Sequence, residues 1–175
     1  MIKYVHYFVE GECEKKLIDA LKTPPCNYLY SGKVEVFNVI LKVLSIQRIL
    51  SIKENALIVL VYDTDFVDTS KLEKNIKLLE SNGFKNIIHI QSIKNFEDEI
   101  VFSSAIKSIH EIFSTQGMEE FKAQFIHCGN ILNKLDSIKF NKDKIWTRNS
   151  NEKLFNVYNA NKIEKLRKNN INLKK

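Results

Sequence analysis

The chain has 175 residues, of which 44% are hydrophobic and 27% are charged, a composition typical of a globular domain with a sizeable core. No apolar stretch approaches the roughly 20 residues that cross a bilayer, and we expect no signal peptide, because an apolar strand pattern begins directly after Met1. The three cysteines are widely spaced, which fits neither a disulfide framework nor a zinc site, so we expect a cytoplasmic protein with reduced thiols.

The net charge of +6 is concentrated toward the C-terminus. Residues 1–110 carry 14 basic and 14 acidic side chains, whereas residues 111–175 carry 13 basic and 7 acidic ones. This distribution suits an enzyme in which acidic metal ligands meet a basic surface for substrate phosphates. Codon bias is the alternative explanation, because Asn, Lys and Ile are abundant throughout the chain.

Two short apolar runs, residues 4–9 and 56–62, end abruptly in carboxylates. Both are rich in β-branched and aromatic residues, which indicates buried strands. Glu10 follows the first run and precedes a glycine and a helical pattern, so it is predicted to lie at the carboxyl end of a strand, where open parallel sheets bind ligands. Asp63 and Asp65 follow the second run, and strand alternation predicts that they point the same way.

The rest of the pattern alternates strands with helices, which predicts an α/β fold with a mostly parallel, Rossmann-like sheet of four strands flanked by helices. The further elements predicted are a strand over 34–39, a helix over 40–50, a helix from Ser70 to a left-handed C-cap at Asn82-Gly83, and a strand over 86–91.

Two apolar stripes after Ile100 predict a helical C-terminal extension. We therefore expect a catalytic domain over residues 1–107 and a basic helical extension over residues 108–175, in the same compact unit or as a small lobe. The last residues before Lys175 are predicted to form a weak helix or to be partly disordered.

Three acids at the ends of two buried strands would repel one another unless a cation lay between them. Oxygen ligands of this kind favour magnesium, manganese or calcium over zinc. In the structural alternative, Asp63 and Asp65 open a surface loop and Glu10 is a helix N-terminal acid. Two histidines, His6 and His89, lie inside predicted strands and are expected to be core or sheet-face residues.

The ordered pair Glu10-Gly11 and Asp63-Thr64-Asp65 resembles the Toprim domain, the catalytic module of topoisomerases, primases and OLD-family nucleases. Glu14 is similar to the second acid of the Glu-Gly-x-x-Glu version seen in OLD-like nucleases, and Asn95-Phe96-Glu97 looks like their third acidic element. Spanning residues 4–105, the resemblance implies a metal-dependent nuclease that holds Mg²⁺ or Mn²⁺, as two ions, through Glu10, Glu14, Asp63, Asp65 and Glu97. Glu10 would be a ligand or the base, and Lys94 would face a phosphate.

This sequence departs from several Toprim branches. Where many members have a Gly three positions after the Asp-x-Asp motif, Phe66, Val67 and Asp68 stand here, which argues against the primase, topoisomerase and ribosomal-RNA-maturase branches. No ATPase motif precedes the domain. The resemblance therefore implies a stand-alone nuclease, or a subunit that relies on a partner ATPase, with a role in phage defence. A binding module for a partner or nucleic acid and a metal-dependent nucleotidyl transferase are the alternatives.

Several charged residues have a second interpretation. Glu97 also fits the ordinary preference for acids at a helix N-terminus, and Asp98 and Glu99 are expected to be solvated helix charges. Trp146 could stack on a base between cations, although a core anchor is the favoured interpretation. The cations around it, predicted to contact nucleic-acid phosphates, are Lys142, Lys144 and Arg148.

Overall fold

A parallel sheet forms the centre of the computed structural model, which describes residues 4–150, 153–156, 158 and 163–168. Its strands are β1 (Val5–Val9), β2 (Gly32–Val36), β3 (Leu57–Asp63) and β4 (Ile87–Ser92). They are ordered β2-β1-β3-β4, and every neighbouring pair is parallel. The predicted α/β class with a four-stranded parallel sheet is therefore confirmed.

Helices flank this sheet on both faces. In the described part of the chain the α-helices are α1 (Glu12–Lys22), α2 (Ile46–Leu50), α3 (Ser70–Ser81), α4 (Phe96–Phe102), α5 (Met118–His127), α6 (Ile131–Ser137) and α7 (Lys153–Asn156). Two short 3-10 helices span Ile109–Ile112 and Ile163–Leu166. None of these described helices is long and apolar enough to cross a membrane.

The sheet separates two apolar cores, because successive side chains of a strand point to opposite faces. Val5, Tyr7 and Val9 of β1 belong to the core that also holds apolar side chains of α1, α4, α5 and α6. Phe8 of β1 belongs to the other core, together with α3 and apolar residues of the 37–52 segment. The C-terminal helices α5 and α6 thus share a core with the sheet.

The second strand begins earlier than the predicted range of 34–39. Gly32 is the first residue of β2 and pairs with Val5 of β1. A Cβ atom at Gly32 would lie 1.9 Å from the Val5 carbonyl oxygen. The glycine is needed here because the two backbones approach closely.

The helix predicted over 40–50 is wrong for its first half, since α2 begins only at Ile46. The buried side chain of Asn75 on α3 takes the place of helical hydrogen bonds in this segment. Its Oδ1 accepts from the Leu44 N–H at 2.7 Å, while its Nδ2 donates to the Val39 and Lys42 carbonyls at 2.9 and 2.8 Å. These long-range bonds hold the backbone in a non-helical path.

The two apolar stripes of the C-terminal part form several short helices instead of two long ones. Ser108 caps the first 3-10 helix with a capping box, and the Asn130 side chain accepts from Asn133 N–H at the start of α6. Capping residues inside each stripe therefore restart the helix. The predicted terminal helix lies partly outside the described residues, which include only one-turn helices beyond residue 150.

Replacing Asn75 should destabilise the protein strongly. Asn75→Ala leaves two carbonyls and one N–H of the 39–44 segment without their buried partner, and we expect a loss of about 2–4 kcal/mol in the free energy of unfolding. Asn82→Ala, which removes an exposed amide bonded to Leu78, is the matched control and should change stability by less than about 0.5 kcal/mol. Urea denaturation of both variants measures this difference, and equal effects would contradict the assigned role.

Candidate functional site

The carboxyl ends of β1 and β3 lie side by side in the middle of the sheet. Strand order changes direction here, because the chain goes from β1 to β2 on one side and from β3 to β4 on the other. Such a switch point opens a crevice at the strand ends. Glu10 follows β1 directly, and its Oε2 accepts a hydrogen bond from the backbone N–H of Asp63 at 3.2 Å. The two strand-end acids are thus tied together.

A cavity of about 300 Å³ lies at this edge of the sheet. Four of the predicted ligands, Glu10, Glu14, Asp63 and Glu97, line it together. Glu14 comes from the first turn of α1, and Glu97 comes from the first turn of α4, where Asn95 caps the helix by accepting from Asp98 N–H at 2.9 Å. The short loops after β1 and β4 therefore bring two helix starts to the acidic strand ends.

Asp63 is the most constrained of these acids. Only 8% of the residue is exposed, and among the described residues its Oδ1 is a buried atom without a hydrogen-bond partner. Burial raises the pKa of Asp63 to about 9, with the charges of Glu10 and Glu14 adding to the increase, while hydrogen bonding by Ser92 opposes it. Without a cation, Asp63 therefore holds a proton at neutral pH.

The neighbouring carboxyls are shifted in the same direction. Burial raises the pKa of Glu14 to about 7, and the charges of Glu10 and Glu97 add to this effect. Burial also raises the pKa of Glu10, although the hydrogen bond from Asp63 opposes the increase. Protons and cations relieve the same repulsion among buried acids. A divalent cation can therefore bind between these carboxylates in place of the protons.

Lys122 of α5 lines the same cavity, although the sequence did not indicate it as a site residue. Its Nζ lies 3.3 Å from Glu97 Oε1, and 51% of its side chain is exposed. Burial lowers the pKa of Lys122, but Glu97 and the nearby Cys13 and Glu14 raise it overall. No local motif marks this lysine, because its place depends on the packing of α5 against α1.

Two predicted site residues, Asp65 and Lys94, lie outside the cavity lining and are exposed. Strand alternation does not reach Asp65, because β3 ends at Asp63. The intervening Thr64 joins the two loops instead, since its N–H donates to the Lys94 carbonyl and its Oγ1 accepts from the Lys94 N–H, both at 3.0 Å. The charge of Asp65 nevertheless contributes to the raised pKa values of Glu10 and Asp63.

The sequence predicts that Glu99 is a solvated helix charge. This prediction is wrong, because Glu99 is fully buried. Its Oε1 accepts from Arg148 Nε at 3.0 Å and from Arg148 Nη2 at 2.7 Å. Arg148, predicted to contact phosphates, is therefore engaged in an ion pair within the protein. Lys144 and Arg148 both lie over the Phe102 ring, whereas Lys142 lies over Tyr28. Of these three cations, Lys142 and Lys144 are exposed to solvent and can contact a ligand.

Trp146 and the strand histidines are buried, as predicted. Only 1% of Trp146 is exposed, which confirms a core anchor and leaves no ring face for a base. His6 Nε2 lies 3.2 Å from Glu35 Oε2, and His89 Nδ1 lies 3.1 Å from the Tyr62 hydroxyl. Both histidines lie on the sheet face that carries Phe8 and Tyr62, and neither lines the acidic cavity.

Across the described residues, no three His, Cys, Asp or Glu side chains come close enough together to form a preformed metal site. The four carboxylates line one cavity, but they do not converge on a single point. Comparison with protein-family models, curated proteins and solved structures finds no match to this chain. The resemblance to the Toprim domain therefore stays a prediction from the sequence motifs.

The raised pKa of Asp63 predicts a specific pH dependence. The unfolded carboxyl ionises near pH 4 and the folded one near pH 9, so the wild type should lose stability as the pH rises between these values. Asn cannot ionise. In buffer with a metal chelator, the stability gained by Asp63→Asn relative to wild type should therefore be larger at pH 8 than at pH 5.

Urea denaturation at the two pH values measures this gain, and Asp65→Asn is the control because it removes an exposed acid of the same type. We expect the control to show little change in its effect between pH 5 and pH 8. A constant effect of Asp63→Asn across this range would contradict a buried, protonated Asp63.

Proposed function

We propose that this chain is a divalent-metal-dependent nuclease that hydrolyses phosphodiester bonds in DNA or RNA. The observation that carries the proposal is Asp63 Oδ1, a buried acceptor without a described protein partner, in a cavity lined by three further carboxylates. An acceptor buried in this way costs free energy until a partner binds. Magnesium and manganese prefer all-oxygen ligands, and each carboxylate here offers hard oxygen atoms.

In this proposal Asp63, Glu14 and Glu97 hold Mg²⁺ or Mn²⁺, with two ions as the expected number. Bound metal lowers the pKa of a coordinated water and neutralises charge on the phosphoryl group. Glu10 serves as a further ligand or as the base that accepts the proton of the attacking water while the bond to the leaving oxygen breaks. Asp65 and Lys94 would join from the exposed loops that follow β3 and β4.

Lys122 supplies positive charge at the same place. Its ion pair with Glu97 would loosen when that carboxylate turns toward metal, and its ammonium group would then bind a nonbridging phosphate oxygen. Half of the Lys122 side chain is exposed, which leaves it room to move. We therefore assign Lys122, rather than Lys94 alone, to the phosphate.

The resemblance to OLD-like Toprim proteins adds the cellular setting of the proposal. We propose a cytoplasmic protein with a role in phage defence that acts alone or with a partner ATPase subunit. The substrate track includes the exposed Lys142 and Lys144, whereas Arg148 serves mainly to neutralise the buried Glu99.

Asp63→Asn should lower cleavage by about 100-fold or more, because it removes charge from the metal site while keeping the shape of the side chain. Labelled single-stranded and duplex DNA and RNA, incubated with Mg²⁺ or Mn²⁺, provide the assay. Asp68→Asn is the matched control, since Asp68 is an exposed acid in the same loop whose hydrogen bonds, among the described residues, go to Ser70.

Each outcome of this assay separates the candidate functions. Cleavage by wild type and Asp68→Asn, with loss in Asp63→Asn, supports the nuclease. Extended products indicate nucleotidyl transfer, and unchanged substrate in every metal indicates a non-catalytic module for nucleic acid or a protein partner. Full activity of Asp63→Asn would overturn the proposed metal site.

Removing Lys142 and Lys144 together should weaken nucleic-acid binding and make it less sensitive to salt. Each lost phosphate contact lowers the slope of log affinity against log salt by roughly 0.7–0.9, so the double alanine variant should lose up to about 1.8. Lys74→Ala/Lys77→Ala on α3 is the control, because it removes two exposed lysines from the opposite face of the sheet. Equal slopes for both double variants would favour codon bias as the origin of the basic segment.

A further inference from the structure

We propose that Trp146 and Ser92 form a relay that positions the Asp63 carboxylate for metal binding, and that Glu99 holds Trp146 in place. This inference rests on the proposed metal-binding role of Asp63. It assigns a function to residues 145–148, which connect the C-terminal part of the chain to the end of β4. None of the three relay residues lines the acidic cavity, so each acts through Asp63.

Glu99 fastens this segment to the end of β4. Its Oε2 accepts from the backbone N–H of Trp146 at 3.1 Å, and its Oε1 accepts from the Ile93 N–H at 3.0 Å. The same Oε1 accepts from the Arg148 guanidinium, which also donates to the Ile93 carbonyl at 3.5 Å. One buried carboxylate thereby links the strand end with both sides of Trp146.

Trp146 adopts a backbone conformation that a bulky residue rarely occupies. Its φ is 55°, in the left-handed region that disfavours large side chains. Such strain persists only where the surroundings determine the conformation, and it is concentrated at functional sites. Here the bond from Trp146 N–H to Glu99 supplies the constraint, and the result is that the indole ring points to β4.

The indole is connected to Asp63 through a single hydroxyl. Trp146 Nε1 donates to Ser92 Oγ at 3.4 Å, and Ser92 is the cross-strand register partner of Asp63. An indole N–H can only donate, so Ser92 must accept from it and keeps its own proton for another acceptor. We assign the Asp63 carboxylate as that acceptor, because the parallel register places Asp63 directly beside Ser92 on the neighbouring strand.

The relay has a consequence for the metal site. A serine proton directed toward Asp63 would set the rotation of the carboxylate, while Oδ1 has no hydrogen-bond partner among the residues that the structure describes. Outer partners of this kind orient metal ligands, and their removal typically lowers metal affinity by 10- to 100-fold. Ser92 and Trp146 are therefore positioning residues, and Trp146 should have no effect that does not pass through Ser92.

The test is a double-mutant cycle in Mn²⁺ affinity, measured from the electron paramagnetic resonance signal of free Mn²⁺. Ser92→Ala should raise the Mn²⁺ Kd about 10- to 100-fold, and Trp146→Phe, which keeps a ring but removes the N–H, should raise it roughly tenfold. In the double variant the Kd should match that of Ser92→Ala alone within about twofold. Ser103→Ala is the control, because it removes another buried serine hydroxyl on the same chain.

Circular dichroism of each variant confirms that it is folded, and Ser92→Ala tests the relay with little loss of volume should Trp146→Phe unfold the chain. Wild-type Mn²⁺ affinity in a folded Ser92→Ala variant, or additive effects in the double variant, would overturn the relay and leave the proposed function standing. Failure of the wild type itself to bind Mn²⁺ would overturn the proposed function and the relay with it.

Discussion

The hydrogen bond from the Asp63 N–H to the Glu10 carboxylate, 3.2 Å long, is the contact on which the arrangement of the site depends. It exists because β1 and β3 are parallel neighbours whose carboxyl ends meet at the switch point of the sheet. The bond draws one acid to the backbone of another in a place where burial already disfavours charge. Asp63, Glu14 and Glu97 are buried, so the repulsion among the acids is screened less than it would be in open solvent. The fold thus holds several carboxyl groups in one place, and bound cations would relieve the repulsion among them.

Parts of the chain far from the strand ends help to offset the repulsion among these acids. Helix α5 brings Lys122 to Glu97, and the segment around residue 146 reaches the end of β4 through Glu99. Both parts belong to the region predicted as an extension, yet they share the core of the sheet. Within the described residues, α5 contributes Lys122 and Ile126 to the lining of the cavity, and Trp146 belongs to the core beneath the sheet. Its basic side chains differ in role, because Arg148 balances a buried acid whereas the neighbouring lysines remain exposed.

Local signals explain which features could be predicted. Glu10 and Asp63 follow apolar runs directly, and Glu14 and Glu97 stand in first helical turns, so their positions depend on only a few neighbouring residues. The predicted orientation of Asp65 depends on strand alternation, which does not extend past Asp63, the last residue of β3. The features that the sequence did not predict depend on distant partners: Glu99 is bonded to Arg148, 49 residues away, and Asn75 reorganises a segment more than 30 residues before it. A periodic pattern carries no information about such pairs, and tertiary packing decides them.

Anomalous diffraction from crystals grown with Mn²⁺, recorded near the manganese absorption edge, tests the central claim most directly, because it locates the ion without reference to any activity. The account predicts an anomalous peak in the cavity about 2.0–2.6 Å from Asp63 Oδ1, with Glu14 or Glu97 oxygens among its other ligands. If crystals grown at saturating Mn²⁺ show no anomalous peak in the cavity, and no ion bound to an oxygen of Asp63, the result would contradict the account.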